Sequence, residues 1–189
     1  MSRPKPETLA VRTVARSRLF HVQAVSLRFA NGVEVDFERL APGGGSGAVL
    51  VVPVRADGFI LLIREYAAGT DRYELGLPKG RMEDGEDPLV TAVRELREET
   101  GFGARRVEPL RVMSLAPGYS AHQTHIVLAR DLYPDPLPGD EPEEIEVVPW
   151  PLDDLHGLLA REDFTEARSV AAMYLARDAL ADDGDRLHE

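Results

Sequence analysis

Residues 80–102 read GRMEDGEDPLVTAVRELREETGF, and this stretch decides the fold. It fits the pattern G-x5-E-x7-R-E-U-x-E-E-x-G-U, in which x is any residue and U is a bulky apolar one. Each fixed residue has a background frequency of roughly 5–10%, so a full match rarely arises by chance in so short a chain. The fixed positions are occupied by Gly80, Glu86, Arg94, Glu95, Glu98, Glu99 and Gly101, and the apolar positions by Leu96 and Phe102.

The residues near the two ends of this stretch predict a helix between them. Asp87 is a favoured N-cap, and Pro88 suits the first helical position, where a backbone N–H would have no partner in the helix. Gly101 suits the position just past the helix end, which commonly takes a left-handed conformation. The residues that recur at helical spacing and should be buried are Leu89, Ala92, Val93, Leu96 and Thr100.

A second face of the same helix carries three carboxylates. Glu95, Glu98 and Glu99 stand at positions i, i+3 and i+4, so their side chains lie together. Carboxylates this close repel one another unless a cation collects them, and hard oxygen ligands suit Mg²⁺ or Mn²⁺. A solvated acidic face with Glu–Arg pairs is the other interpretation of this helix alone, but the complete spacing favours a metal site.

The loop before the helix, residues 80–85 and called the box loop below, contributes to the same prediction. Glu86 can anchor Arg94 or the loop backbone, and Arg94, four residues before Glu98, can orient a carboxylate. The conformational freedom of Gly80 allows its own carbonyl, or that of Lys79, to turn toward a metal ion.

The composition bounds the class of protein. A length of 189 residues suits one domain with a small appendage, and a hydrophobic fraction of 43% supplies a core. The net charge of −11 argues against a nucleic-acid or anionic membrane target, and the chain has no cysteine for disulfides, thiol catalysis or Cys-based zinc sites. No apolar run approaches the roughly 18–20 residues of a membrane span, and residues 1–7 lack the apolar core of a signal peptide, so we expect a cytoplasmic protein.

Turn residues divide the chain into segments. Residues 1–10 are polar and are predicted to form a loose arm. The turn signal Ala30-Asn31-Gly32 separates alternating segments at 18–29 and 33–40, which predicts an antiparallel hairpin. The linker 42–47 then gives a boundary between an N-terminal part, residues 1–47, and a main domain, residues 48–189.

The main domain alternates strands and helices, which indicates an α/β fold. Its last helix, predicted at 164–180, should bury Val170, Met173, Tyr174, Arg177 and Leu180. Further strands are predicted at 48–54, 59–64, 73–75, 106–114, 125–131 and 145–149, and a further helix at 152–159.

The motif at 80–102 resembles the Nudix box, the signature of hydrolases that cut nucleoside diphosphates linked to another group. The resemblance implies a pyrophosphatase with an α/β/α sandwich that depends on Mg²⁺, with Mn²⁺ as an alternative. It further implies that Glu95, Glu98, Glu99 and the backbone carbonyl of Gly80 or Lys79 hold two or three of these ions.

The N-terminal hairpin, at roughly 8–42, resembles an element of the ADP-ribose pyrophosphatase branch of that family. In that branch it commonly crosses to a partner subunit and lines the partner's substrate pocket, which implies a homodimer. Pro117 lies fifteen residues after Phe102, in the segment APGYS. This segment resembles one found at a similar distance from the box in the same branch. The following residues, 121–123, are not acidic, which departs from that branch, and an ordinary Pro-Gly turn is the other interpretation.

A later acidic segment, GDEPEEIEV at 139–147, resembles the loop that supplies the catalytic base in this branch. Its ending places Glu143 at the matching position, with Glu141 and Glu144 as alternatives. The implied mechanism has a water molecule lose its proton to Glu143, or to Glu98 if the loop does not close. A solvated acidic loop is the competing interpretation.

Three residues outside the motif are candidates for substrate contacts. Arg64 ends a strand near the box, where the family tends to have side chains that contact phosphate or ribose. Glu74 corresponds to a common glutamate before the box loop, which binds either the loop backbone or the substrate. Phe20 and Phe37 could stack on adenine, with core packing as the alternative.

Several short segments are most similar to the ADP-compound hydrolases of this family. That similarity implies substrates of the form ADP-X, namely ADP-ribose, NADH and diadenosine triphosphate, with AMP and X-phosphate as products. The alternatives are a pyrophosphatase for nucleoside triphosphates or dinucleotide polyphosphates, and a non-catalytic sensor of ADP-ribose or NAD. The segments lie at 13–20, 63–70, 73–76, 131–134 and 164–168.

Overall fold

The computed structural model describes residues 3–41, 47–139 and 141–186. The chain forms two compact units, one from Met1–Gly45 with Ser114–Gln123 and the other from Ser46–Met113 with Thr124–Glu189. Among the described residues, no helix is both long and apolar enough to cross a membrane.

The N-terminal unit contains a three-stranded antiparallel sheet of β1 (Glu7–Arg16), β2 (His21–Arg28) and β3 (Glu34–Leu40), in that order. The predicted hairpin is confirmed as β2 and β3, and Gly32 turns between them at φ 84°. The prediction of a loose arm at residues 1–10 is wrong for residues 7–10, which pair with β2. Every residue of β1 is exposed, so hydrogen bonds to β2 hold this strand in place rather than a buried face. The strand therefore lacks the alternation of apolar and polar residues by which a half-buried strand is predicted.

A four-stranded sheet forms the centre of the second unit. Its order is β7-β4-β9-β8, formed by Lys79–Arg81, Ala48–Pro53, Gln123–Pro134 and Phe102–Ser114. Strand β4 is antiparallel to β7 and parallel to β9, and this pairing places the box loop at β7 beside a buried strand.

A second sheet has the order β10-β5-β6, formed by Glu146–Pro151, Phe59–Ala67 and Arg72–Gly76. The helices are α1 (Pro88–Thr100), α2 (Leu155–Leu159) and α3 (Ala167–Arg186). Both α2 and α3 begin three residues later than predicted. The carboxylate of Asp154 accepts from Gly157 N at 3.0 Å and caps α2, whereas Phe164 is buried in the core before α3.

Successive side chains of β4 point to opposite faces of the sheet and pack in two different core clusters. Val49 and Val51 pack on one face with Leu96 of α1, whereas Leu50 and Val52 pack on the other face with residues of the second sheet and of α3. Because side chains alternate along a strand, a shift of one residue would exchange the two faces. This arrangement confirms the predicted α/β/α sandwich, and the predicted N-terminal hairpin is part of a three-stranded antiparallel sheet.

The predicted buried face of α3 is confirmed at Val170, Met173 and Leu180, which pack on the core, and is wrong at two residues. Tyr174 and Arg177 are exposed, and the Arg177 guanidinium lies 4.9 Å from the centre of the Tyr174 ring. Tyr174 therefore lies on the outer face of this helix, although its neighbour Met173 is buried. Among the described side chains of α3, the fully buried ones are Ser169, Ala172, Met173 and Ala176.

Candidate active site

Helix α1 has the ends that the sequence predicts. The carboxylate of Asp87 accepts from Leu89 N at 2.8 Å, and Pro88 is the first helical residue. Gly101 closes the helix in a left-handed conformation, at φ 77°, with its N–H donating to Arg97 O. The helix is therefore fixed at both ends, and its acidic face keeps a defined direction.

The acidic face of α1 is held by Arg94. Its Nη1 lies 2.8 Å from Glu95 Oε1 and 2.9 Å from Glu98 Oε2. Its Nε lies 3.5 Å from Glu86 Oε1, and the other oxygen of Glu86 accepts from Glu83 N at 3.1 Å. One guanidinium therefore orients two carboxylates of the helix and connects them to the loop that precedes it.

The box loop lies directly against this face. A methyl group on Gly80 would lie 1.9 Å from Glu95 Cδ and 2.0–2.1 Å from its carboxylate oxygens, so a larger residue there would displace the Glu95 carboxylate. One residue earlier, Lys79 N donates to Glu99 Oε2 at 2.8 Å. The loop backbone and the helix carboxylates thus form one continuous set of polar groups.

Glu95 and Glu99 are buried, with 8% and 7% of their surface exposed. Burial raises the pKa of Glu99 to about 8, although the charge and the backbone N–H of Lys79 partly oppose this shift. The neighbouring charges of Glu65 and Glu95 raise the pKa further. A carboxyl group in this position lacks a sufficient counter-charge, which is the environment that a divalent cation would complete.

The second sheet brings an unpredicted carboxylate to the same place. Among the described residues, carboxylate oxygens of Glu65, Glu99 and Glu141 all lie within 4.8 Å of one another. Glu65 is on β5 and pairs with the Lys79 ammonium group. Its position depends on the pairing of β5 with β6 and β10, so the spacing of residues in the sequence does not reveal it. Clustered oxygen donors of this kind suit Mg²⁺ or Mn²⁺.

The acidic loop after β9 completes the site. Asp135 N donates to Gly101 O at 2.9 Å, Leu137 N donates to Arg97 O at 3.2 Å, and Arg97 forms an ion pair with Asp135 at 3.0 Å. These contacts place the loop beside the C-terminal end of α1, and the two border an open cavity of about 420 Å³. Its acidic lining consists of Glu95, Glu98, Glu99, Glu141, Glu143 and Glu144.

Two of the predicted substrate residues make contacts within the protein. Arg64 contacts Glu146 at 2.8 Å and Asp163 at 2.5 Å, which joins β5 to β10 and to the segment before α3. Glu74 accepts from Arg72 Nε at 2.8 Å and from a threonine hydroxyl at 3.2 Å. The structure gives Glu74 no hydrogen bond to the backbone of the loop 77–85 among the described residues.

The remaining predicted residues belong to the N-terminal unit. Phe20 lies between β1 and β2 and is 52% exposed, and Phe37 is also exposed beside Phe29. Neither ring belongs to a core. Pro117 lies in a turn in which Ala116 O accepts from the backbone N–H groups of Tyr119 and Ser120.

Comparisons with known proteins agree with this geometry. Residues 46–173 match the NUDIX domain, and residues 6–39 match the NudE-type Nudix hydrolase N-terminal domain. ADP compounds hydrolase NudE of Escherichia coli strain K12 is 49% identical over 95% of this chain and 96% of its own length. ADP-ribose pyrophosphatase of Bacillus subtilis strain 168 is 28% identical over 88% of this chain and 92% of its own length.

Among solved structures, a crystal structure of ADP compounds hydrolase superposes with a TM-score of 0.92. It is 48% identical to this chain and covers 97% of it, and the match spans 98% of that chain. The chain belongs to the Nudix hydrolase family.

Proposed function

We propose that this protein hydrolyses the pyrophosphate bond of ADP linked to a second group, X, and releases AMP and X-phosphate. ADP-ribose, NADH and diadenosine triphosphate are the proposed substrates. The observation that carries the proposal is the cavity of about 420 Å³, where carboxylates of α1 meet those of the loop after β9. The names of two relatives, an ADP compounds hydrolase and an ADP-ribose pyrophosphatase, support the substrate class.

Two or three Mg²⁺ ions are the proposed cofactors, and Mn²⁺ is the alternative. Glu95, Glu98, Glu99 and the backbone carbonyl of Gly80 would hold them, and the buried position of Glu99 favours such a counter-charge. When bound, the ions offset the charge of the pyrophosphate and the charge that builds up in the transition state. Arg94 keeps Glu95 and Glu98 in place for this role.

The proposed base is Glu143, which lines the cavity, with Glu98 as the alternative. The base accepts a proton from a water molecule, and the water oxygen attacks one phosphorus of the pyrophosphate in line. The bond from that phosphorus to the bridging oxygen breaks, and the other phosphate leaves with this oxygen. The carboxylates act chiefly by holding the reacting groups in position.

The proposed enzyme is a cytoplasmic homodimer. The substrates are intracellular nucleotides, and the N-terminal sheet exposes apolar side chains that a second copy would cover. The exposed ring of Phe20 would stack on adenine, and Arg64 and Glu74 would contact the substrate beside the box loop.

Product analysis by chromatography tests the proposed function. The pure protein is incubated with Mg²⁺ and ADP-ribose, NADH, diadenosine triphosphate, ADP-glucose or dGTP. We expect AMP from the ADP-X compounds and no pyrophosphate from dGTP. Pyrophosphate from dGTP would favour the nucleoside triphosphate alternative, and no product with either Mg²⁺ or Mn²⁺ would contradict hydrolysis of these compounds.

A comparison of product formation by two variants tests whether the activity depends on the carboxylates of this cavity. Glu99→Gln removes a buried carboxylate of the cavity and should abolish product formation while the fold is retained. Glu162→Gln removes an exposed carboxylate before α3 and should keep the full rate. Equal activity of the two variants would contradict the assignment of the metal ligands to α1.

A further inference from the structure

The proposed base has a specific partner on the second sheet. Tyr73 Oη donates to Glu143 Oε1 at 2.8 Å. We infer that Tyr73 is a positioning residue, whose hydroxyl holds one oxygen of the Glu143 carboxylate so that the other oxygen can take the proton of the attacking water. This inference rests on the proposed function and assigns a role to a residue that has no place in the Nudix box.

Glu143 needs such a partner because of its position in the loop after β9. The first half of this loop is tied to α1 through Asp135 and Leu137, but Glu143 lies farther along and is exposed. An exposed glutamate side chain samples several rotamers, and a base that must meet a water molecule loses rate when it is not held in position. A hydrogen bond to an ionised carboxylate is stronger than one between neutral groups, so a single hydroxyl is enough to restrict it.

Tyr73 is itself well held. It lies on β6 directly opposite Tyr66 of β5, and the two rings meet edge-on at a centroid distance of 5.6 Å. The hydroxyl of Tyr66 points elsewhere and donates to Asp71 at 2.5 Å. The pKa of Tyr73 is raised by its hydrogen bond to Glu143 and by the charge of that carboxylate, so the hydroxyl remains a proton donor.

The second oxygen of Glu143 supports the proposed role. Among the described residues, no hydrogen bond to Glu143 Oε2 is formed, while the residue lines the cavity that α1 also lines. The carboxylate therefore has one oxygen bound to the sheet and one available to a proton from the cavity.

A kinetic comparison tests the inference with ADP-ribose and Mg²⁺. Tyr73→Phe removes only the hydroxyl, and Tyr66→Phe is a matched control because both tyrosines are 49% exposed and each donates to a carboxylate. We expect kcat to fall about tenfold in Tyr73→Phe with KM unchanged, since positioning of the base affects the chemical step. Tyr66→Phe should keep the original kcat.

A double variant separates positioning from general damage. In a Glu143→Gln background, adding Tyr73→Phe should cause no further loss of kcat, because the carboxylate that the hydroxyl holds is already absent. The same loss in both backgrounds would overturn the inference, and so would an unchanged kcat in Tyr73→Phe.

Hydrogen exchange supplies a readout that does not depend on turnover. Backbone amides at 141–147 should exchange several-fold faster in Tyr73→Phe than in the original protein or in Tyr66→Phe. Unchanged exchange would overturn the inference even in an active enzyme. If the original protein cleaves no ADP-X compound, the proposed function fails, and the exchange experiment still decides whether Tyr73 holds the loop.

Discussion

At the scale of single residues, Glu99 carries a carboxyl group into surroundings that disfavour its charge. Its pKa rises from an ordinary value of 4.5 to about 8, with burial as the main cause. The unfolded chain releases this proton at lower pH than the folded one. Without metal, the free energy of unfolding should therefore fall as the pH rises from about 4.5 to about 8. Above pH 8 the ionisation of Glu99 should cause no further loss.

Glu99→Gln tests this prediction in chemical denaturation with a metal chelator present. At pH 8 the variant should be more stable than the original protein by a few kcal/mol, because it has no charge to bury. At pH 5 the difference should nearly vanish, since Glu99 is then protonated. Adding Mg²⁺ at pH 8 should stabilise the original protein more than the variant, which lacks one of the proposed ligands. A difference between the two proteins that does not change with pH would contradict the raised pKa.

Gly80 is the residue whose size matters most directly to the site. Gly80→Ala would place a methyl group 1.9 Å from Glu95 Cδ, so Glu95 must leave its position. We expect kcat/KM to fall by about a hundredfold or more, with a higher Mg²⁺ requirement. Gly69→Ala is the control, because its new methyl group would have no neighbour within 4 Å and its rate should not change.

At the scale of elements, the start of α3 is tied to the segment that leads into the box loop. Ser169 Oγ donates to Glu166 Oε2 at 2.7 Å and accepts from Leu77 N at 3.2 Å. Glu166 stays ionised despite its burial, because hydrogen bonds from Ser169 and Arg168 lower its pKa. The backbone just before Lys79 is thereby fixed from the opposite side of the unit.

Removing that hydroxyl should therefore weaken the fold. Ser169→Ala leaves Leu77 N buried without its partner, and we expect a loss of about 1–3 kcal/mol in the free energy of unfolding, measured by urea denaturation. Ser114→Ala, at an exposed position at the end of β8, should change stability by less than about 0.5 kcal/mol. Equal effects of the two substitutions would show that the contact between Ser169 and Leu77 does not contribute.

At the scale of the whole molecule, the N-terminal sheet has an apolar face whose side chains on the two outer strands are exposed. Val11, Val25 and Phe37 stand directly opposite one another across the three strands, so they share one face. Only Val25 of these is buried, whereas Val35 on the same face is 40% exposed. This is the surface that we assign to a second copy of the chain.

Light scattering at a fixed protein concentration checks this assignment. The original protein should have the mass of two chains, and the double variant Val11→Lys/Val35→Lys should shift toward one chain, because lysine resists burial without a counter-charge. Val90→Lys, at an exposed valine of α1, should remain dimeric. A single-chain mass for the original protein would contradict the homodimer, and a dimeric double variant would place the contact elsewhere.

Some features of this protein could be predicted from the sequence because they depend on neighbours within a few residues. The ends of α1 follow from Asp87, Pro88 and Gly101, and the shared face of Glu95, Glu98 and Glu99 follows from helical spacing. The β2–β3 hairpin follows from its turn residues. The family, the α/β class and the acidic character of the site were accessible for the same reason.

Other features were decided only when distant segments met. Glu65 reaches the site because β5 pairs with β6 and β10, and Arg64 beside it is drawn into ion pairs with Glu146 and Asp163. Tyr73 meets Glu143 across seventy residues of sequence. Strand pairing and loop anchoring set these contacts, and both depend on the packing of the whole unit rather than on the local periodicity of the chain.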